Sequence, residues 1–429
     1  MARRGNTRRH GNDQVSIEIQ KMITGLTPLS NSCCIFRVPE RLRETNEKAY
    51  TPQVVSIGPL HRGKKRLQAM EEHKVRCLKS LFNSSNSGMN MERCVGEVKM
   101  LEKKARGCYA ESIKLSSDKF VEMILLDGSF TIEVIRRYDT SLEDGTDYLN
   151  RHIRMNDLFQ DMILIENQLP FFVLERLYKL LFHSTRRRKV QSFLKLSIAY
   201  FADAGIVSSN STQLFSSSSK IKHFVDLLRS CHLPSSLRPK PHLKVKFVPI
   251  RNATDLQAAG MKFKKGSSNR LLDIKHDMKE LKIPPLILCN WTEPLLRNLA
   301  ALEQCQYPYD SYIIDYIYFM DKLIDSAEDV DLLIRNGIFE NHLGDTSEVA
   351  SLYNNLTKEV VFWCPNYYFS GMSEELNEYC KRRWPNWKAL LKRDYFSTPW
   401  RATSTTAAII LLALTLIQTI YSVLSLYHK

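Results

Sequence analysis

Residues 165–172, IENQLPFF, place Glu166, Asn167 and Gln168 inside an apolar stretch directly ahead of Pro170. Glu166 and Glu175 are of the right type to act as an acid/base pair, but nothing in the sequence sets a substrate between them. SIGPLHRGKKR (56–66) combines two glycines, His61 and a basic run. An anion could sit in such a loop, yet a Gly-Pro turn with a solvated charged tail accounts for it more simply. Cys231, His232 and His242 are too few and too irregular for a zinc site. Asp321, Asp325, Glu328, Asp329 and Asp331 lack the alternating ligands and central glycine of a calcium loop, so a solvated helix end is expected. There is no GxSxG elbow and no P-loop. The expectation is therefore of no catalytic, cofactor-binding or metal-binding residues, and no cofactor.

The polar triplet is then best read as a corner. DMILIENQ would end one helix, and Pro170 would stand in the first turn of the next, FFVLERLYKLL. At such a corner the last carbonyls and first amides lack helical partners, and carboxylate and amide side chains can satisfy them.

The chain of 429 residues has a formal net charge of +15, with 44% hydrophobic and 25% charged residues. Arg3, Arg4, Arg8 and Arg9 supply +4 at the start. Lys381, Arg382, Arg383, Lys388, Lys392, Arg393 and Arg401 against Asp394 supply +6 near the end. The body between is close to balanced, which argues against a nucleic-acid groove. The ten cysteines are scattered without a CxxC pair, as in a reduced protein. The basic N-terminus has no apolar run behind it, so no signal peptide is expected.

From Ala402 to Tyr427 no residue is charged, and AAIILLALTLIQTIYSVLSLY (407–427) is apolar with few interruptions. That length suffices to cross the hydrocarbon of a bilayer, so 402–427 is expected to be a transmembrane helix contacting lipid. The basic flank at 379–401 favours a cytosolic head on a C-terminal anchor, with the plasma membrane the favoured site. Sequons at Asn83, Asn210, Asn252, Asn290 and Asn355 would point the other way if glycosylated.

Along the body, 66–82, 91–115, 118–138, 188–204 and 220–230 have helical character, with Lys74 intruding on an apolar face, Asp118 a cap and Gly128 a close-packing position. Residues 83–90 and the serine-rich 205–219 read as loops, and 234–241 as a proline-rich connector. LKVKFVPI (243–250), LLDIK (271–275) and PLILCN (285–290) read as strands. Helical spacing returns at Ile313–Ile324 and Val349–Val360. The fold class expected is mainly α: a compact helical head with a minor small β-sheet, followed by one C-terminal transmembrane helix. The expected divisions are a flexible basic start (1–28), the head (29–378), a basic juxtamembrane segment (379–401) and the span (402–427).

Several stretches together resemble one plant family. They are CCIFRVPERLRETNEKAYTPQVVSIGPLHRGKKRLQAMEEHK (33–74), MILLDGSF (123–130), DMILIENQLPFFVL (161–174), IPPLILCNWTEPLLRNLAALEQC (283–305) and YCKRRWPNWKALLKRDYFSTPWRATS (379–404). In order and spacing they are similar to the family known as domain of unknown function 247. His276 stands where that family tends to an aromatic, and Ser129 where cysteine is frequent. The resemblance implies a plant protein with a C-terminal span and no agreed enzymatic activity, and offers no catalytic residues to carry over. Some grass relatives are implicated in self-incompatibility, which implies recognition of a protein partner. Two functions are thus expected to compete: a non-enzymatic, membrane-anchored binder of another protein, and an enzyme whose site is assembled from distant residues. A deep pocket at His61, Glu166 or the acidic set would favour the enzyme.

Overall fold

The computed structural model describes residues 14–25, 30, 32–84, 91–140, 155–182, 191–215, 221–234, 248–362, 367–381 and 399–427. Among these, helices dominate. The first is α1 (Gln14–Gly25), inside the stretch expected to be a flexible start, followed by α2 (Glu40–Thr45). Then come α3 (Ala69–Ser84), α4 (Met91–Arg106), α5 (Ser117–Thr140), α6 (Met155–Met162), α7 (Phe171–Phe182) and α8 (Phe193–Asp203). Further on lie α9 (Phe224–His232), α10 (Ala253–Ala258), α11 (Thr292–Gln306), α12 (Tyr312–Leu323), α13 (Ala327–Arg335), α14 (Thr346–Leu356), α15 (Ser370–Lys381) and α16 (Pro399–Tyr427).

The organising element of the first half is α5, which packs against α3, α4, α7 and α8. Its run FVEMILLDGSFTIEVI is buried nearly all round, so no wide polar face is left to solvent. Close approach to α7 depends on Gly128: a Cβ there would lie 2.6 Å from Leu177 Cδ1. The helix begins at Ser117, one residue before its expected cap Asp118. Ser116 Oγ accepts from the Lys119 amide at 3.3 Å, while Asp118 sits inside the first turn. α4 stops at Arg106 rather than continuing toward 115, because the chain turns at Gly107 and bridges Tyr109 to Ile35.

The second half packs α11 on α12 and α9, and α14 on α12 and α13. Beside it lie two small sheets where one was expected. β1 (Lys262–Lys265), β2 (Lys275–Asp277) and β3 (Glu280–Ile283) form a three-stranded sheet in the order β1-β3-β2, β1 parallel and β2 antiparallel to β3. β4 (Leu286–Leu288) and β5 (Phe339–Asn341) pair in parallel. The strand read at 285–290 is present as β4. LLDIK is a turn as far as Ile274, with pairing only from Lys275.

Residues 248–250 are not strand, and 243–247 lie outside the described residues, as do 85–90 and 235–241 of the expected loops. Within 205–219, Ser209–Leu214 is a 3-10 helix that buries Ser211, and 216–219 fall outside. Buried apolar side chains from Cys34 to Cys380 form one continuous cluster spanning both halves. α16 is different. Its window Thr403–Ile420 has mean hydropathy 1.7 and none of it is buried, so this is one helix long and apolar enough to cross a membrane.

Candidate functional site

α6 ends at Met162, six residues earlier than the sequence implied, and 163–170 form an irregular corner before α7. Pro170 stands just outside α7, its carbonyl accepting from Val173 at 3.0 Å. Glu166, Asn167 and Gln168 are each about 1% exposed, so every polar atom they carry needs a partner inside the fold.

Gln168 satisfies ends of two helices. Its Nε2 donates to the carbonyls of Met162 (2.7 Å) and Leu164 (2.8 Å), just where α6 runs out. Its Oε1 accepts from the Phe224 amide at 3.1 Å, the first residue of α9. Its main-chain oxygen accepts from Tyr109 Oη at 3.0 Å. The corner reading is therefore correct in kind, but the amide served at the N-terminal side belongs to α9, not to α7.

Asn167 and Glu166 serve other segments. Asn167 Oδ1 accepts from the Ile57 amide at 2.7 Å, and its Nδ2 donates to Val55 O (3.0 Å) and Asp161 O (2.9 Å). Glu166 Oε1 accepts from the Val38 amide at 2.8 Å and from Arg43 Nη2. Its Oε2 lies 2.9 Å from His61 Nε2, in a contact bent away from hydrogen-bond geometry, and 3.8 Å from Arg37 Nη1. Burial pushes the Glu166 carboxyl up, but His61, the Val38 amide and Arg43 outweigh it and hold the group below the usual carboxylate range. Burial lowers His61 against the pull of Glu166, which leaves a neutral imidazole beside a carboxylate.

These contacts belong to a larger pattern. The segment QVVSIGPLH (53–61) crosses the interior without regular structure, and its main chain is bonded by side chains from elsewhere. Asp161 accepts the amides of Gln53 (2.8 Å), Val54 (2.7 Å) and Val55 (2.7 Å). Burial pushes Asp161 up to about 6 against those three bonds. Gly58 donates to Asp127 Oδ2 at 2.9 Å, and Ser56 O accepts from Lys74 Nζ at 2.6 Å. Arg37 Nη2 donates to Leu60 O at 2.7 Å.

Lys74, the residue that intrudes on an apolar helix face, also stands 2.7 Å from Asp127 Oδ1, and both side chains are fully buried. Gly58 has φ +78, and a Cβ there would meet Gln168 O at 2.6 Å, so the thread and the corner touch main chain to main chain. SIGPLHRGKKR is accordingly not a solvated turn. Its first half, with His61, is buried and clamped, and the tail from Gly63 to Arg66 is exposed to solvent as expected.

The other candidates are spread apart. Glu175 lies on α7, 3.3 Å from Lys179, and among the described residues no hydrogen bond or ion pair joins it to Glu166. In the acidic set, Asp329 is buried rather than solvated: it accepts the amides of Thr254 (2.8 Å), Asp325 (3.1 Å) and Ser326 (3.1 Å) and closes a capping box on α13. Asp321 stands 2.8 Å from Lys322. His232 is buried with neither ring nitrogen bonded, and His242 lies outside the described residues. Among the described residues no three His, Cys, Asp or Glu side chains gather as a metal site.

Open cavities lie at several places among the described residues. One of about 690 Å³ lies along β1, one of about 340 Å³ beside α14, and one of about 300 Å³ between α3, α4 and α5. None of the three is lined by His61, Glu166 or the acidic set. What the junction does chemically is to supply the missing hydrogen bonds of an unstructured thread. Sequence reasoning missed Asp161, Asp127, Arg37, Arg43 and Asn298, whose Oδ1 accepts from Ile165 at 2.9 Å. The one available signal was a charge inside an apolar run, as in MILLDGSF.

Comparison with known proteins places this architecture. A family profile described as a plant protein of unknown function, domain of unknown function 247, matches residues 35–414. The UPF0481 protein At3g47200 of Arabidopsis thaliana is 32% identical over 421 residues, covering 92% of this chain and 87% of the relative. A second UPF0481 protein of the same plant, At3g02645, is 23% identical over 477 residues, covering 90% and 89%. No solved structure matches the chain. The matched span takes in the thread, the corner and about half of the apolar helix, and the chain belongs to the plant family of unknown function designated domain 247.

Proposed function

We propose that this chain is a single-pass, membrane-anchored recognition module that binds a protein partner without catalysing a reaction. A head over 29–378 is tethered through the basic segment 379–401 to a span at 402–427. The observation that carries the anchor is α16: 29 residues long, with isoleucine and leucine side chains such as Leu412 (70%) and Leu416 (64%) facing outward and none of the apolar window packed on the head. At about 1.5 Å per residue it reaches beyond the ~30 Å hydrocarbon layer.

The positive flank favours a cytosolic head. A non-catalytic reading is supported by the junction itself, whose carboxylates and amides are occupied by main-chain groups of the same fold. The test is fractionation. Full-length protein should pellet with membranes and resist alkaline carbonate, and the chain lacking 402–429 should move to the supernatant. Full-length protein left in the supernatant without detergent would overturn the anchor.

A further inference from the structure

Among the described residues, one edge of the three-stranded sheet is open. There β1 pairs with β3 alone of the described strands, in parallel register. The amides of Lys262 and Gly266 donate to Lys279 O and Ile283 O, each at 2.7 Å. Residues alternate along a strand, so Lys262 and Lys264 face β3 while Phe263 and Lys265 turn their N–H and C=O groups outward. No described strand pairs with that side. Instead, the cavity of about 690 Å³ runs along it, lined by Gly260, Lys262, Phe263 and Lys265 among others.

The charge pattern of the sheet says what would fill the groove. Lys264 lies directly opposite Lys282, and Lys282 directly opposite Lys275, so one row across all three strands is lysine. Like charges facing one another across strands destabilise a sheet. Glu280 offsets part of this, standing 2.5 Å from Lys264 and 3.4 Å from Lys282. Edge lysines also discourage pairing between two copies of the same edge, because like edges repel. An acidic strand is the one such an edge selects.

We propose that the outer edge of β1 docks an extended acidic segment of a partner protein, added as a further strand with its carboxylates continuing the row Lys264–Lys282–Lys275. Main-chain bonds to Phe263 and Lys265 would hold the segment, and the lysines would choose it. This rests on the recognition reading above and names its surface and ligand chemistry.

The experiment uses the full-length protein in lipid nanodiscs and two short fluorescein-labelled peptides, one alternating glutamate with threonine and one alternating lysine with threonine. The glutamate peptide is expected to bind at least roughly tenfold tighter by anisotropy, with salt weakening it, and to slow hydrogen exchange at the Phe263 and Lys265 amides. Lys265→Pro removes one outward amide and none of those facing β3, and should weaken binding by roughly tenfold with unchanged thermal unfolding. Lys264→Glu, which keeps every main-chain bond, should move the preference toward the lysine peptide. Equal binding of both peptides, or no protection at Phe263 and Lys265, overturns the proposal. Proximity labelling with an N-terminal tag separates this from the broader reading. If peptides fail while Lys265→Pro and the wild type label the same neighbours in cells, recognition stands and the β1 edge is not its site.

Discussion

At the scale of single residues, the junction shows why buried polar side chains must be judged by what they leave behind. Replacing Gln168 with Leu keeps the volume but strands the carbonyl of Met162 and the amide of Phe224 in the interior, and leaves the Leu164 carbonyl only its bond from the Asn167 amide. Each stranded group costs about 1–3 kcal/mol, so a loss of roughly 3–5 kcal/mol in denaturant unfolding is expected. A variant that folded normally and lost only partner binding would instead make Gln168 a binding residue.

His232 supplies a second case with a defined pH window. Burial pulls its imidazole down to about 4 from the usual 6.5, and neither nitrogen has a partner. The unfolded chain takes up that proton near pH 6.5 and the folded chain only near 4. The contribution is therefore complete above pH 6.5 and lost as pH falls toward 4, about 3 kcal/mol in all. His232→Leu should remove this part of the acid sensitivity, read as a smaller stability difference between pH 7 and pH 4.5 than in the wild type. Identical pH profiles for the two proteins would show that His232 does not charge on unfolding.

At the scale of elements, α5 and α7 pack closely because Gly128 leaves room for Leu177. Gly128→Val puts a branched side chain where even a Cβ meets Leu177 Cδ1 at 2.6 Å, and should cost about 2 kcal/mol or more. Combined with Leu177→Ala, it should cost less than the sum of the two single changes, by roughly 1 kcal/mol in a double-mutant cycle. Full additivity would mean that the two side chains do not compete for one space.

α3, α5, α7, α12 and α14 were legible because a helix announces itself through contacts one turn apart, which the sequence displays directly. The thread 53–61 was not. Its stability comes from Asp161, Asn167 and Asp127, about 70–110 positions away, and separation along the chain hides such partners from any periodicity. The polar triplet was legible as a corner for a local reason, since Pro170 bars a continuous helix. Which helices it caps was not, because α9 lies more than 50 positions on. β1 and β5 are too short, at four and three residues, for an alternation to show.

At the scale of the whole molecule, the question is whether α16 and the rest of the fold depend on one another. One apolar cluster runs from Cys34 to Cys380, and the residues of α16 that pass through the apolar window contribute nothing to it. Burial is the main source of folding free energy, so a helix with no buried residue in its apolar window is expected to stabilise the rest of the fold little. The chain lacking 402–429 should therefore unfold within about 2 °C of the full-length protein in detergent, since a shift of several degrees requires about 1 kcal/mol or more.

The comparison is worth making because the same deletion answers two questions with independent readouts. Loss of membrane association with an unchanged melting temperature would mean a self-sufficient head on a tether. Loss of association together with a fall of many degrees would mean that α16 docks on the head through surfaces it leaves open here. In that case the isoleucine and leucine faces of α16 would need a protein groove rather than lipid. The apolar cavity of about 300 Å³ between α3, α4 and α5 would be the first place to substitute, at Leu78, Val95 and Leu125. A tethered, independently stable head is the outcome expected, because a helix exposed along its whole apolar window is what a bilayer, and not a soluble core, requires.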